Sequence, residues 1–456
     1  MKSQLVLWYD SDLQVNAWRP EYTEILRTAP IFSNLREGTV ESYFSKCVAI
    51  QDFNGEPKSM SDFEKTVNEA DTNVYVISVH QLIPALYYGI GRVVEDISAL
   101  AMRLIQEGRL TLVILMNREA WNANIYLPHM AARLEQYGMI AQSTRQNIKL
   151  EQESNDISKV YVISANEKME EEYNKTEISK SFKFAGFFTS HSFEHITKIR
   201  HDDTYTDKHS NYTARTPTND FLSLNRLQRP HRIALYSELD RLGLLSNSKF
   251  SFIGESNTNE DSSSDIIKLD LQTIDEVHTE CHQKDSVPYI HFKDMIDNNR
   301  LVKKYVDKAV DRELMNAYPV GLYPDTFMSI VTETVFAANY KYITEKTYRC
   351  MINYHPFILM SGVGCLKMLR EHGYLTFPEM FDESYDDIED PVERFAAIIE
   401  QVRMWCSLGH EEKLERFQSV EYKLIHNNKL FFERAKVPDT SIFEEIGRRS
   451  NEKVVE

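Results

Sequence analysis

The 456-residue sequence has little that would support a disulfide framework, a structural zinc site or a membrane anchor. Its cysteines are odd in number, scattered and without any CxxC spacing, at Cys47, Cys281, Cys350, Cys365 and Cys406. This pattern argues against disulfide bridges and favours a reducing compartment. No apolar run approaches the roughly 20 residues that are needed to span a bilayer. We therefore expect a cytoplasmic protein without a membrane partner.

Positive charge is also in short supply. The chain has 52 lysines and arginines against 69 aspartates and glutamates, which gives a formal net charge of −17. A net acidic surface discourages non-specific binding to the phosphates of nucleic acid. A nucleic-acid partner would therefore require a local concentration of basic residues.

The sequence contains recurrent apolar, β-branched runs with helical patterns between several of them. Hydrophobic residues at 42% and aromatic residues at 11% are enough to fill folded cores, and the length favours two domains. Strands that alternate with helices predict an α/β fold with parallel sheets. In the first half, the predicted strands are 4–9, 73–79, 110–116, 160–164 and 182–188, with a helix at 93–108. The polar stretch 201–219 predicts a linker.

A second series of strands and helices follows the linker. Its predicted strands are 221–224, 250–253, 288–292, 327–331 and 356–360, with a helix at 232–243. The two series predict two Rossmann-like domains that face each other across a cleft, residues 1–205 and residues 219–395. A helical C-terminal tail is predicted for residues 396–456. The acidic segment FDESYDDIEDPVERF (381–395) is expected to be a solvated connection into this tail.

Basic side chains crowd the turn after the first strand of the second domain, which reads FLSLNRLQRPHR over residues 221–232. The polar residues of this turn are Asn225, Arg226, Arg229, His231 and Arg232. In parallel sheets, ligands bind beyond the carboxyl ends of strands, where helix N-termini offer N–H groups to phosphate. Cations at a helix N-terminus oppose the helix dipole, so this turn favours a bound anion over a merely solvated basic surface. Guanidinium groups match the oxygens of a pyrophosphate.

Two acidic residues follow the strand predicted at 327–331. Glu333 comes directly after this strand, and Glu345 comes twelve residues later in the element YITEK. In the simplest interpretation, Thr344 is the N-cap of a helix and Glu345 is favoured in its first turn. In a second interpretation, Glu345 accepts hydrogen bonds from ribose hydroxyls and Lys346 meets phosphate. The two are compatible, and we expect both.

These elements resemble a known family. The order strand, S-x-N, arginine, helix, then strand, Glu, aromatic residue, Y-I-T-E-K, helix and strand spans residues 219–365. It resembles the donor-binding half of fucosyltransferase-type (GT10-like) GT-B glycosyltransferases. It is also similar to glycosyltransferase-like proteins of large phages and viruses, which include enzymes that glycosylate modified DNA bases.

The resemblance implies a GT-B glycosyltransferase that moves a sugar from a UDP- or GDP-linked donor to an acceptor hydroxyl. The acceptor would be a hydroxymethylated base in double-stranded phage DNA, or otherwise a glycan or a small molecule. No metal ion and no cofactor besides the donor substrate is expected. The alternatives are a nucleotide-sugar epimerase and a non-catalytic nucleotide-sugar binder of the same fold.

The resemblance also implies roles for individual residues. Glu345 corresponds to the acid that holds the nucleotide ribose, Lys346 to the lysine that faces the diphosphate, and Glu333 to the acid near the donor sugar. The phosphate arginine corresponds to Arg226, Arg229 or Arg232. The remaining residues of the predicted donor site are Asn225, His231, Tyr342 and Thr344.

The first domain would supply a general base that deprotonates the acceptor hydroxyl. Such a base is a carboxylate or a histidine at the carboxyl end of a strand. The candidates are Glu119, His80 and Asp10, and the N-R-E pattern around Glu119 resembles the catalytic acid of the family. The stretch Asp10-Ser11-Asp12 also matches the D-x-D pattern of a metal-binding motif. Its position at the end of the first strand argues against that interpretation. Since no His/Cys/Asp cluster has metal spacing, no metal site is predicted.

Two further features left alternatives open. The turn Gly362-Val363-Gly364 opens a predicted helix at 365–372 and is either a phosphate loop or a packing turn. Six basic residues near the linker would line a DNA-binding wall of the cleft, or else are solvated flanks. They are Lys180, Lys183, Lys198, Arg200, Lys208 and Arg215.

Overall fold

The computed structural model describes part of the chain. The described residues are 5–9, 58–68, 72–78, 97–116, parts of 130–136 and 160–175, 183–187, 215, 217–255, 265–306, 322–337 and 340–436. The chain divides into two compact units: residues 1–200 with 434–456 form unit 1, and residues 201–433 form unit 2. Each unit is built on a parallel sheet with helices, so the expected α/β class is confirmed.

The described part of unit 1 contains a sheet of six strands, all parallel to their neighbours. They are β1 (Leu5–Tyr9), β2 (Lys58–Ser59), β3 (Thr72–Ser78), β4 (Thr111–Met116), β5 (Val160–Ser164) and β6 (Lys183–Phe187). Their spatial order is β2-β1-β3-β4-β5-β6. Five of the six lie where the apolar runs predict strands, and the two-residue β2 was missed.

Three α-helices of unit 1 are described: α1 (Phe63–Thr66), α2 (Ala99–Gln106) and α3 (Met169–Asn174). Helix α2 begins six residues later than predicted because Ser98 caps it, and the Ser98 hydroxyl accepts a hydrogen bond from the backbone N–H of Ala101. The core of unit 1 includes Trp8, whose ring centroid lies 4.5 Å from that of Phe63. The Trp8 indole N–H donates to Asn73 at 2.8 Å, so its one polar atom is satisfied in the core.

The sheet of unit 2 has four parallel strands: β7 (Asn219–Leu227), β8 (Lys249–Glu255), β9 (Thr326–Thr332) and β10 (Phe357–Met360). Their spatial order is β10-β9-β7-β8. All four were predicted from the sequence. The chain moves from β7 outward to β8, crosses to β9 on the other side of β7, and continues outward to β10. The direction of strand order therefore reverses between β7 and β9.

Among the described residues of unit 2, eight α-helices accompany this sheet: α4 (Pro230–Arg241), α5 (Leu271–Cys281), α6 (Val287–Asp297), α7 (Glu345–Ile352), α8 (Cys365–Glu371), α9 (Pro391–Ser407), α10 (His410–Ser419) and α11 (Glu421–Lys436). Helix α6 corrects the strand predicted at 288–292. The Ser286 hydroxyl caps this helix by accepting from the Tyr289 N–H, and a proline stands in the first turn. Phe292 and Met295, three residues apart, are buried, which is helical rather than strand periodicity.

The described part of the predicted C-terminal tail, up to Lys436, is helical, and its helices α9 and α10 pack on the rest of unit 2. The Lys413 ammonium lies 2.5 Å from the Asp220 carboxylate at the start of β7, and both residues are buried. The Trp405 indole N–H donates to the backbone carbonyl of Asp220 at 3.1 Å. From α9, the Arg394 guanidinium donates to the backbone carbonyl of Phe336 at 2.7 Å. These contacts fix the tail to both the start of β7 and the loop after β9.

From the strand order, a crevice is expected at the carboxyl ends of β7 and β9. In open α/β sheets, ligands bind where the strand order reverses, because the loops that leave the two strands run in opposite directions. In unit 2, this crevice is bordered by the starts of α4 and α7. Among the described residues, no helix is long and apolar enough to cross a membrane.

Candidate functional site

The floor of the crevice is a hydrogen-bonded tie between strands. The Thr332 hydroxyl donates to Asn225 Oδ1 at 2.6 Å, which joins β9 to β7. The Asn225 amide nitrogen donates to the Ser223 hydroxyl at 3.1 Å and to the Ser251 carbonyl at 3.3 Å, which adds β8. Asn225 is buried, and its amide holds the ends of three strands together. Its predicted contact with the donor stays a prediction.

Two arginines meet at the start of α4. Arg229 is the N-cap residue, with an extended backbone and no side-chain cap, and Pro230 follows it in the first turn. Arg232 is buried, and its terminal nitrogen donates to the carbonyls of Thr332 at 3.0 Å and Glu333 at 3.2 Å. The Nε atoms of Arg229 and Arg232 are both buried, and neither has a hydrogen-bond acceptor among the described residues. Buried donors without an acceptor are uncommon in folded proteins, although the Nε of Arg394 on α9 is a further example among the described residues.

Burial and the neighbouring charges change the pKa of Arg232. Burial lowers the pKa of Arg232 to about 10, the nearby positive charge of Arg229 lowers it further, and Glu333 and Glu345 partly oppose the shift. The Arg232 guanidinium remains charged at neutral pH although it is buried, and the half-buried Arg229 brings a second positive charge close to it. An anion that accepts from both would satisfy the orphaned N–H groups and relieve the repulsion.

His231 is neutral and structural at this site. Burial, followed by the charge of Arg232, holds its pKa well below the usual value for histidine. Its Nε2 lies 2.9 Å from the Glu333 carbonyl. Since a carbonyl only accepts, Nε2 carries the proton and donates. The imidazole ring also packs 5.5 Å from the ring of Phe336.

Glu333 organises the opposite wall of the crevice. It is completely buried, directly after β9. Its Oε1 accepts from the Thr344 backbone N–H at 3.0 Å and from the Thr347 hydroxyl at 2.6 Å. Its Oε2 accepts from the Thr344 hydroxyl at 2.5 Å and lies 3.9 Å from the Lys346 ammonium. The carboxylate therefore fastens the first turn of α7 to the end of β9.

The first turn of α7 combines the expected cap with an exposed ion pair. Thr344 caps the helix by accepting from the Lys346 N–H, as the sequence predicted. The Lys346 ammonium donates to the Thr344 hydroxyl at 2.9 Å and lies 3.1 Å from a Glu345 oxygen. The side chains of Lys346 and Glu345 are 26% and 20% exposed, so they can still meet a ligand.

The predicted donor-site residues thus fall into two groups. Arg229, Arg232, Glu345 and Lys346 present charge around the crevice, whereas Asn225, His231, Glu333 and Thr344 bond to the protein itself. Arg226 is half-buried near the end of β7, and Tyr342 is buried. Among Arg226, Arg229, Arg232, Lys346, Glu333 and Glu345, four cations face two carboxylates. This local excess of +2 stands out in a chain whose net charge is −17.

The sequence analysis predicted Thr344 but assigned no role to three other threonines of this site. Thr332 ties β9 to β7, Thr347 donates to Glu333, and Thr334 lies 3.5 Å from the Lys346 ammonium. A signal was present, because threonines flank both acids in the texts TET and TEKT. Their hydroxyls can orient a buried carboxylate and a lysine at once, since a hydroxyl both donates and accepts.

The glycine turn before α8 does not hold a free helix N-terminus. Gly364 adopts a φ of +76°, and its N–H donates to the Asp386 carbonyl at 2.8 Å. The two Asp386 carboxylate oxygens accept from the backbone N–H groups of Leu366 at 3.0 Å and Lys367 at 2.9 Å. A carboxylate of the chain therefore occupies the position that a phosphate would take, which favours the packing-turn interpretation.

The acidic segment that supplies Asp386 is not the solvated connection expected from its charge. A 3₁₀ helix, Glu383–Asp387, buries Tyr385 and Asp386. Glu383 accepts from Arg370 at 3.1 Å and from the Thr376 hydroxyl at 2.7 Å. The segment is instead folded against unit 2, and its Asp386 carboxylate caps the start of α8.

Several predicted residues lie outside the described residues, including the three candidate bases Glu119, His80 and Asp10. Of the six basic residues near the linker, Lys183 begins β6 and Arg215 is described. Arg215 donates to the carbonyls of Asn353 at 2.9 Å and Tyr354 at 3.4 Å, just before β10. It therefore lies at the amino edge of the sheet, opposite the crevice. No group of three or more potential metal ligands is found among the described residues.

Comparison with known proteins does not identify the chain. No protein-family model matches it, and no curated protein matches it at a significant level. The geometry of the crevice between β7 and β9 is therefore the basis for a functional proposal.

Proposed function

We propose that the protein is a GT-B glycosyltransferase that takes a sugar from a UDP- or GDP-linked donor. The donor diphosphate would bind in the crevice of unit 2, between the starts of α4 and α7. Unit 1 would bind the acceptor, with Glu119, His80 or Asp10 as general base. The acceptor hydroxyl would belong to a hydroxymethylated base in double-stranded DNA, a glycan or a small molecule.

The pair of guanidinium groups at the start of α4 carries this proposal. Arg229 and Arg232 each have a buried Nε–H without an acceptor among the described residues, and the charge of Arg229 raises the cost of keeping Arg232 charged. Cations also oppose the helix dipole there. A diphosphate that bridges the two side chains would accept from both Nε–H groups, because guanidinium forks match phosphate oxygens. Its negative charge would also offset the repulsion between the cations and would suit the helix N-terminus, which attracts anions.

Residues on α7 extend the match from a phosphate to a nucleotide. The Lys346 ammonium lies near enough to α4 to help lower the pKa of His231, and it supplies a third positive charge. The Glu345 carboxylate, 20% exposed, is suited to accept hydrogen bonds from the hydroxyls of a ribose. A phosphate site with an adjacent acid at a strand-order reversal is typical of nucleotide binding in α/β sheets.

The chemistry that these groups could support is transfer at the anomeric carbon. The acceptor oxygen bonds to the anomeric carbon while the bond from that carbon to the diphosphate oxygen breaks. The electron pair of the broken bond stays on the diphosphate, and the hydroxyl proton passes to the base. Arg229, Arg232 and Lys346 would stabilise the negative charge that develops on the departing diphosphate.

Isothermal titration of the full chain with UDP and with GDP tests the donor site. We expect one of them to bind and the Arg229→Ala variant to bind it at least about tenfold more weakly, the effect of losing a charged hydrogen bond. Arg241→Ala is the matched control, because Arg241 lies at the other end of α4 and pairs with Glu238 at 2.7 Å. If wild type binds neither nucleotide, or if Arg229→Ala binds like wild type, the proposal is wrong.

Product analysis separates transfer from the alternatives. A glycosyltransferase releases free UDP or GDP from the corresponding sugar nucleotide when an acceptor is present. An epimerase converts the donor without releasing the diphosphate, and a binding protein does neither. For DNA as acceptor, a mobility assay with hydroxymethylated duplex across a salt series is decisive, since phosphate contacts weaken steeply with salt. No duplex binding at low salt would leave a glycan or small-molecule acceptor.

A further inference from the structure

Glu333 follows β9 directly and connects this strand to α4, α7 and β10. The Glu333 side chain holds the first turn of α7 through Thr344 and Thr347. Its backbone carbonyl accepts from Arg232 and His231 on α4. Its backbone N–H donates to the Met360 carbonyl at the end of β10 at 3.0 Å.

We propose that Glu333 is a positioning residue that fixes the distance between the arginines of α4 and Lys346 of α7. Its backbone carbonyl holds the start of α4, and its carboxylate holds the first turn of α7. The two groups of cations that would bind a diphosphate are therefore positioned by the same residue. This inference rests on the proposed function and assigns Glu333 a role different from the one that the family resemblance implies.

A direct contact between Glu333 and the donor sugar does not fit the geometry. The residue is 0% exposed. Three donors occupy its two oxygens at 2.5–3.0 Å, and the Lys346 ammonium approaches Oε2 at 3.9 Å. A carboxylate has about four lone-pair sites. Three of them are taken by donors of the protein, and complete burial keeps the carboxylate away from a ligand in the crevice. A sugar hydroxyl would have to displace Thr344 or Thr347, which would release the helix cap.

The same geometry explains why an acid is required at this position. Glutamine keeps the length but replaces one acceptor oxygen with an NH₂ group, which cannot accept from the Thr344 hydroxyl or attract the Lys346 ammonium. In Glu333→Gln, the first turn of α7 should therefore loosen and Lys346 should lose its fixed position, while Arg229 is unaffected. Thr347→Val is a milder variant, since it removes a single donor and keeps the buried carboxylate.

Hydrogen exchange in the ligand-free full chain tests the anchor independently of any nucleotide. We expect faster exchange in Glu333→Gln for peptides that cover residues 342–350, because the Thr344 N–H loses its charged acceptor. The control is Glu238→Gln, which alters a carboxylate of similar burial at the far end of α4. Unchanged exchange in both Glu333→Gln and Thr347→Val would overturn the anchoring role, whatever the protein binds.

Titrations with whichever of UDP and GDP binds wild type, with its nucleoside and with its sugar nucleotide test the role in binding. A positioning residue that acts through Lys346 weakens the diphosphate and the sugar nucleotide equally, by about tenfold, and leaves the nucleoside unchanged. Glu333→Gln should also add little to Lys346→Ala in a double-mutant cycle. Loss of sugar-nucleotide affinity alone would instead show a direct sugar contact. Failure of wild type to bind either nucleotide would refute the proposed function and leave the exchange result as the test of the anchor.

Discussion

Removal of the Asp386 carboxylate should destabilise unit 2, because this side chain caps α8. It accepts from the N–H groups of Leu366 and Lys367 at 3.0 and 2.9 Å, and Asp386 is 4% exposed. Each hydrogen bond to a charged group contributes about 1.5–3 kcal/mol. Part of this gain is offset by the cost of burying the charge, since burial raises the pKa of Asp386.

We therefore expect Asp386→Ala to lower the free energy of unfolding by about 2–4 kcal/mol and Asp386→Asn, which keeps one acceptor oxygen, by about 1–2 kcal/mol. Urea unfolding and calorimetry of the full chain would measure both. The neighbouring Asp387 is exposed, so Asp387→Ala is a matched control that should stay within about 0.5 kcal/mol of wild type. If the free energy of unfolding of Asp386→Ala also stays within about 0.5 kcal/mol of wild type, the carboxylate is not a cap. The glycine turn before α8 then becomes a candidate phosphate loop again.

Two further predictions concern buried charge in unit 2. Lys413→Met leaves the Asp220 carboxylate buried without its ion-pair partner and should cost about 3–5 kcal/mol of unfolding free energy. The double variant with Asp220→Asn should recover much of this loss, and equal losses in the single and double variants would contradict the pairing. Burial lowers the pKa of His355 to about 3, so the stability it contributes is complete above pH 6.5 and is lost as the pH falls towards 3. Between pH 7 and pH 5, His355→Gln should therefore lose about 2 kcal/mol less stability than wild type, and parallel curves for the two proteins would refute this.

The sequence by itself determined the α/β class and nearly all the strands of both sheets. Apolar, β-branched runs that alternate with helical periodicity encode parallel sheets, because each strand is buried on both faces. It also determined the Thr344 cap and the concentration of arginines at the start of α4. These features depend on residues a few positions apart, so they are visible in a single local pattern.

Local patterns failed where a side chain finds its partner far along the chain. Asp386 lies in a strongly acidic segment that predicts solvent exposure, yet it caps a helix that begins 21 residues earlier. Arg215 looks like part of a basic surface, yet it bonds to carbonyls almost 140 residues away. The apolar text at 288–292 resembles a strand, and helix α6 forms instead because Ser286 and a proline start it.

The different roles of the charged residues at the crevice were likewise decided only by the tertiary structure. Through the family resemblance, the sequence predicts ligand-binding roles for Glu333, Glu345, Arg232 and Lys346. Folding buries Glu333 completely and turns it towards Thr344 and Thr347, while Glu345 and Lys346 keep a partly exposed position. The physical reason is the reversal of strand order between β7 and β9, which brings the ends of strands more than 100 residues apart into hydrogen-bonding distance. The approach of these two strand ends decides that Glu333 bonds within the protein and that Glu345 stays partly exposed.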